Sequence, residues 1–175
     1  MTSIASRKTV YSTPWFTLLS KTMNSKPNEE YYSVKTNDYC CLIGITKDQK
    51  IVLVRQFRPA VETMTLELPA GHVDDGENPR EASIREFTEE TGFLVDESKI
   101  VELGYLFSDT GRLTNRSWYF LARDVTPNPA AKYEDGIEVI QLPLSELKNK
   151  LCTEFSHSMH VGALGLAILR TNLHL

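Results

Sequence analysis

GHVDDGENPREASIREFTEETGF, running from Gly71 to Phe93, is the stretch from which the rest of the chain is read. Asn78 is placed to cap a helix and Pro79 suits its first position. Glu81 stands where a capping-box acid reaches back to the cap, and Gly92 suits the helix end. At about 100° per residue, Glu86, Glu89 and Glu90 share one stripe of this helix, while Ile84, Phe87 and Thr91 fall roughly opposite. Like charges three and four residues apart cost an isolated helix about 0.2–0.5 kcal/mol per pair. A bound cation removes that conflict, and clustered carboxylates suit hard ions such as Mg2+ or Mn2+. The competing reading is a solvated acidic face with no ligand.

As spacing, the stretch is Gly71, five residues, Glu77, seven residues, then Arg85-Glu86-Phe87-Thr88-Glu89-Glu90-Thr91-Gly92-Phe93. This pattern resembles the signature of the Nudix hydrolase family at every defined position. The resemblance implies that Glu86, Glu89 and Glu90 hold divalent ions, Mg2+ or alternatively Mn2+. It also implies that Glu77 and Arg85 form a structural pair, with Gly71 and Gly92 bounding the motif. Hydrolysis of a P–O–P linkage asks water to attack phosphorus shielded by anionic oxygens, so the barrier is largely electrostatic and positional. Carboxylates this close titrate together, so none of them is assigned as the free base.

The flanks narrow the resemblance. Arg55-Gln56-Phe57-Arg58-Pro59-Ala60, then Leu66-Glu67-Leu68-Pro69-Ala70-Gly71, with a β-like N-terminal extension, look like the branch that cleaves ADP-ribose and related nucleoside diphosphate sugars. In that branch the N-terminal strands pair between subunits of a homodimer, and the carbonyl of the residue at Ala70 is a metal ligand. A further glutamate, 67 residues past Gly71 and hence Glu138 here, is implied as a catalytic base or its helper, with Glu134 and Asp135 as substitutes if the register slips. One departure stands out: where the branch carries a proline after the motif, this chain has Ser108 and Asp109.

Other residues are read from their chemistry. Arg55 and Arg58 are candidates for a substrate phosphate, with surface salt bridges as the alternative. Glu67 is placed either against substrate or an arginine, or in a buried ion pair. Arg112 and Arg116, with Asn115, lie on a polar loop that supplies charge-assisted bonds to phosphate or ribose, or else is a solvated turn. Trp15, Tyr31, Tyr32, Phe57 and Tyr105 are candidates to stack on a base, weighed against core or dimer packing. His157 and His160 lack a third ligand at suitable spacing and read as surface residues.

Around the motif, β-like pieces at residues 10–11, 16–19 and 31–34, separated by Pro14, Pro27 and the polar run 24–30, predict an antiparallel ribbon over residues 1–38. Residues 39–175 form the Nudix domain in this reading. Within it, residues 40–46 and 50–57 predict a hairpin, and 63–68, 100–107, 117–123 and 137–142 predict strands. Residues 126–135 read as a loop. Ser145 is expected to cap a short helix to Leu151, and Ser156 or Ser158 a helix to about Thr171. The sum is an α/β fold, an α/β/α sandwich with a mixed sheet, which is also what the resemblance implies.

Composition agrees with one such unit. The 175 residues are 41% hydrophobic, enough for a single core. A net charge of −4 and pI near 5.6 argue against a nucleic-acid or acidic-membrane partner and leave a small nucleotide as the expected one. Cys40, Cys41 and Cys152 make neither a disulfide framework nor a zinc spacing, and buried free thiols are expected. The first residues lack a signal peptide's apolar core, and Val161–Leu169 is too short for a membrane span, so a cytoplasmic setting is the expectation. The expected activity is metal-dependent hydrolysis of ADP-ribose or a similar nucleoside diphosphate sugar to a nucleoside monophosphate and a sugar phosphate. The alternatives are another polyphosphate substrate (a nucleoside triphosphate, a dinucleoside polyphosphate or a capped RNA end) or a non-catalytic nucleotide-binding regulator.

Overall fold

The computed structural model describes residues 2–131 and 134–174. The N-terminal ribbon is a three-stranded antiparallel sheet, ordered β1 (Ile4–Ser12), β2 (Thr17–Met23) and β3 (Lys26–Lys35). Of the run 24–30, expected to separate β-like pieces of the ribbon, only residues 24 and 25 form a turn, and 26–30 belong to β3. Pro27 is tolerated because β3 is the edge strand of its sheet, with β2 as its strand neighbour, so at Pro27 one side has no need for an N–H donor. Backbone bonds at Val34 join this sheet to the polar loop of residues 108–115: its N–H donates to Arg112 O (2.8 Å) and its carbonyl accepts from Thr114 N (3.1 Å).

The larger sheet has seven strands. Its main path runs β12 (Glu138–Pro143), β5 (Lys50–Arg58), β4 (Tyr39–Ile45), β10 (Arg116–Arg123), β9 (Val101–Phe107), with β6 (Thr63–Glu67) on β5 and β7 (Ala70–His72) on β4. β4 and β10 are parallel, while the other pairs are antiparallel, so the sheet is mixed. The strands at its centre are near-continuous apolar runs because both faces are covered. Cys41, Ile43, Ile45, Tyr119 and Leu121 pack with Leu144 and Leu147 of α2 (Leu144–Leu147) and Ala163, Leu164 and Ala167 of α3 (Ser158–Thr171). Their neighbours Leu42, Val52, Phe120 and Ala122 pack instead with Phe87 of α1 (Pro79–Thr91) and Phe93. Alternation along each strand therefore divides the core between two helical layers, the expected sandwich. Gly44 is required there: a Cβ would sit 2.3 Å from Cζ of the Phe87 ring.

Several local expectations change. α1 starts and stops as its sequence states: Asn78 accepts from Arg80 N, and Gly92 closes the helix at φ 66° with its N–H on Thr88 O. Glu81, however, stays exposed and makes no bond back to the cap among the described residues. α2 is a single turn with Pro143, not Ser145, at its N-cap. His157, rather than a serine, occupies the N-cap of α3. The stretch 126–135 is not all loop, since β11 (Thr126–Pro127) pairs with β8 (Phe93–Leu94); Lys132 and Tyr133 lie outside the described residues. Cys40 and Cys41 are buried free thiols, but Cys152 is exposed. Among the described residues no helix is long and apolar enough to cross a membrane.

Candidate active site

The site is built where β7 meets the acidic stripe of α1. Three backbone groups hold the chain leading into β7. Leu68 N donates to His160 Nδ1 (3.2 Å), Pro69 O accepts from Leu42 N (3.3 Å), and Ala70 N donates to Glu90 Oε2 (2.9 Å). Gly71 follows directly against Glu86, where a Cβ would fall 2.2 Å from Cδ of that carboxylate. A side chain at this position would therefore displace the Glu86 carboxylate.

Arg85 organises the acids. Its Nε and Nη2 form a two-pronged pair with Glu77 (2.9 Å each), and Nη2 also reaches His72 O (3.2 Å). Glu77 and Arg85 are thus joined as an ion pair. Nη1 does more, donating to Glu86 Oε1 (2.9 Å) and lying 3.3 Å from Glu89 Oε2. These bonds hold Glu77 below its usual range and raise Arg85 further.

The carboxylates differ sharply in surroundings. Glu89 is exposed, Glu86 half-buried, and Glu90 only 6% exposed. Burial pushes Glu90 up to about 8 against the opposing pull of the Ala70 N–H, and the negative charges of Glu86 and Glu134 add to the rise. Burial likewise raises Glu86, although Arg85 offsets it. Among the described residues no three acidic, His or Cys side chains already surround a common point. The donor set still fits a hard divalent ion: oxygen ligands, two of them carboxylates whose charged form burial disfavours, beside a glycine. Glu86, Glu90 and the Ala70 carbonyl would hold it, with Glu89 at the rim.

The remaining candidates disperse. Glu138 opens β12 directly opposite Arg55, 3.5 Å from its Nη1, and Arg55 also binds Glu154 (2.8 Å). Arg58 makes a two-pronged pair with Glu67, Nε–Oε1 2.8 Å and Nη2–Oε2 2.6 Å. Thr65 donates to the same carboxylate at 2.6 Å. Of the two readings left open for Arg58 and Glu67, the ion pair is present. Arg112 lies over Tyr31 (5.3 Å) and Arg116 over Tyr105 (4.9 Å), and neither meets the motif's acids among the described residues.

His160 corrects the surface assignment. It is fully buried, stacked on His157 with centroids 4.2 Å apart, and its Nε2 lies 3.2 Å from Tyr39 Oη. Since Nδ1 accepts from Leu68, Nε2 carries the proton. Burial drives its pKa down to about 3 and keeps the ring neutral. Spacing along α3 gave no sign of this role, because Leu68 and Tyr39 are 92 and 121 residues away in sequence.

Comparison with known proteins gives the fold and motif a context. The ADP-sugar pyrophosphatase of Mus musculus is 31% identical over 135 residues, covering 70% of this chain and 61% of that protein. The ADP-ribose pyrophosphatase of Bacillus subtilis is 27% identical over 118 residues, 67% of this chain and 63% of that protein. The chain thus spans about three fifths of the length of these curated relatives. A crystal structure of an ADP compounds hydrolase superposes with a TM-score of 0.79 over 95% of this chain and 91% of that one, at 24% identity, a likeness of fold. The NUDIX domain model matches residues 37–159, which include the Gly71–Phe93 motif and every strand of the larger sheet, and the chain therefore belongs to the NUDIX domain family.

Proposed function

We propose that this chain is a divalent-metal-dependent hydrolase of ADP-ribose or related nucleoside diphosphate sugars, releasing a nucleoside monophosphate and a sugar phosphate. The observation that carries the reading is Glu90, a nearly buried carboxylate beside Glu86 and Gly71 whose ionised form calls for a cation. The substrate class is supported by the names of the mouse and B. subtilis relatives. Mg2+, or Mn2+, would neutralise diphosphate oxygens there and make a water more acidic.

The chain's own residues divide the remaining work. Arg85 locks the loop through Glu77, so that the Ala70–Gly71 backbone meets α1 at a constant distance. Glu134 is the acid whose charge reaches both Glu86 and Glu90. It takes precedence over Glu138, which Arg55 engages, as the group that orients or deprotonates the attacking water. Arg55, Arg112 and Arg116 remain phosphate or ribose contacts only if substrate draws them from their present partners.

Residues 1–38 are proposed as a dimerisation arm, because their sheet leaves Val10, Tyr11, Trp15 and Tyr32 exposed. A cytoplasmic setting belongs to the same reading. Product analysis with ADP-ribose, ADP-glucose, GDP-mannose and a nucleoside triphosphate in Mg2+ tests the activity, with Glu90→Gln as control. AMP and ribose 5-phosphate from the unaltered protein alone are expected. Cleavage of the triphosphate only would overturn the substrate class, and binding without any product would replace the enzyme with a nucleotide-binding regulator.

A further inference from the structure

Two cavities, each of about 400 Å³, flank His157 and share Tyr39 in their walls. That volume lies in the range of small-molecule sites, roughly 300–1,000 Å³. One contains the Arg58–Glu67 pair. The other is chemically different: Thr36, Ser108, Asn115 and Ser158 join Tyr39 and His157, and among the described residues no Lys, Arg, Asp or Glu lines it. His72, next to Gly71, is also in its wall, so this cavity adjoins the loop that carries the proposed metal site.

Two side chains in the wall of this cavity carry a buried polar atom with no hydrogen-bond partner among the described residues. Asn115 is 7% exposed, and its Oδ1 has no hydrogen-bond partner among the described residues. Nδ1 of His157 is likewise buried and unpaired. Buried polar atoms are nearly always paired, because leaving one unsatisfied opposes folding. A wall that served packing alone would do better with apolar side chains at both positions.

The lining selects among parts of a substrate. A diphosphate needs cationic or clustered N–H donors, which this cavity lacks. A nucleobase needs free aromatic faces, and Tyr39 and His157 each already turn one face to His160, at interplanar angles of 17° and 16°. Short hydroxyl groups, an amide and a neutral imidazole suit a ligand that presents several hydroxyls, each both donor and acceptor. We propose that this uncharged cavity is the subsite for the sugar distal to the diphosphate, with Asn115 and His157 as its hydrogen-bonding contacts. The assignment rests on the nucleoside diphosphate sugar reading above.

Binding of non-hydrolysable analogues tests it with Mg2+ present. The analogues are α,β-methylene ADP-ribose, in which CH2 replaces the bridging oxygen, and α,β-methylene ADP, which lacks the sugar. Calorimetry on the unaltered protein is expected to give at least tenfold tighter binding of the sugar-bearing analogue. Asn115→Leu and His157→Phe should each cut that preference to threefold or less and leave the ADP analogue within twofold. Neither substitution removes a side-chain hydrogen bond found among the described residues, so melting temperatures should hold or rise. Equal weakening of both analogues, an undiminished preference, or no preference in the unaltered protein overturns the subsite. Turnover of ADP-ribose, measured separately, keeps the two readings apart. A sugar preference abolished by these variants, without hydrolysis by the unaltered protein, rejects the enzyme and retains the subsite; hydrolysis with a preference untouched by them does the reverse.

Discussion

Replacing Arg58 by methionine separates an ion pair that is part of the fold from an arginine held for substrate. Glu67 is 1% exposed and takes bonds from Arg58 Nε and Nη2 and from the Thr65 hydroxyl. Burial alone would raise Glu67, but these bonds bring it down from 4.5 to about 2. Removing one member of a buried pair costs about 3–5 kcal/mol, because the other charge is left stranded. Arg58 is 38% exposed, so water screens part of the attraction and the expected loss is about 2–4 kcal/mol. For a chain of this size, at roughly 2–4 °C per kcal/mol, Arg58→Met should melt about 4–16 °C lower at pH 7.5.

The pH dependence carries the sharper test. In the unaltered protein Glu67 has a depressed pKa, so its contribution is present above about 4.5 and is lost as pH falls toward 2. In Arg58→Met burial acts with less opposition, Glu67 rises, and protonation relieves the stranded charge. The gap between the two proteins should therefore narrow between pH 7.5 and pH 5, as read by scanning calorimetry in chelator. Arg58→Met combined with Glu67→Leu should recover most of the loss. A gap below about 1 °C at pH 7.5, or one that widens on acidification, would refute the reasoning and return Arg58 to the substrate.

Three further outcomes follow from the site. Glu90→Gln should abolish hydrolysis yet raise the melting temperature in chelator at pH 8: with a folded-state pKa of about 8 against 4.5, Glu90 favours folding below 4.5 and loses that effect as pH rises through 8, so the gain should vanish below pH 5. Gly71→Ala should reduce turnover by about 10², because its Cβ drives Glu86 from the loop, and equal activity in the two proteins would show that the approach is dispensable. Glu134→Gln should lower the catalytic rate by about 10²–10⁴, with Glu138→Gln closer to the unaltered protein; the opposite order in steady-state kinetics would restore Glu138 as the base.

Much of the molecule was legible without coordinates because its signals are local. Asn78, Pro79 and Gly92 delimit α1 within one stretch of chain, the apolar runs of β4 and β5 announce strands covered on both faces, and the spacing from Gly71 to Phe93 identifies the acids. The polar run before Tyr31 misled, because an edge strand tolerates proline and charge that a central one does not. Helix periodicity placed Glu86, Glu89 and Glu90 on one stripe, but not the gradient from exposed Glu89 to buried Glu90 that separates their chemistry. That gradient arises only when β7 docks against α1 and excludes water from one carboxylate but not another. The same holds for Arg58 with Glu67, for Glu138 with Arg55, and for His160 holding Leu68 from the far side of the sheet. Motif and periodicity determine which residue types recur along one element, whereas burial and pairing depend on chain segments up to 121 residues apart, and only the tertiary structure brings those together.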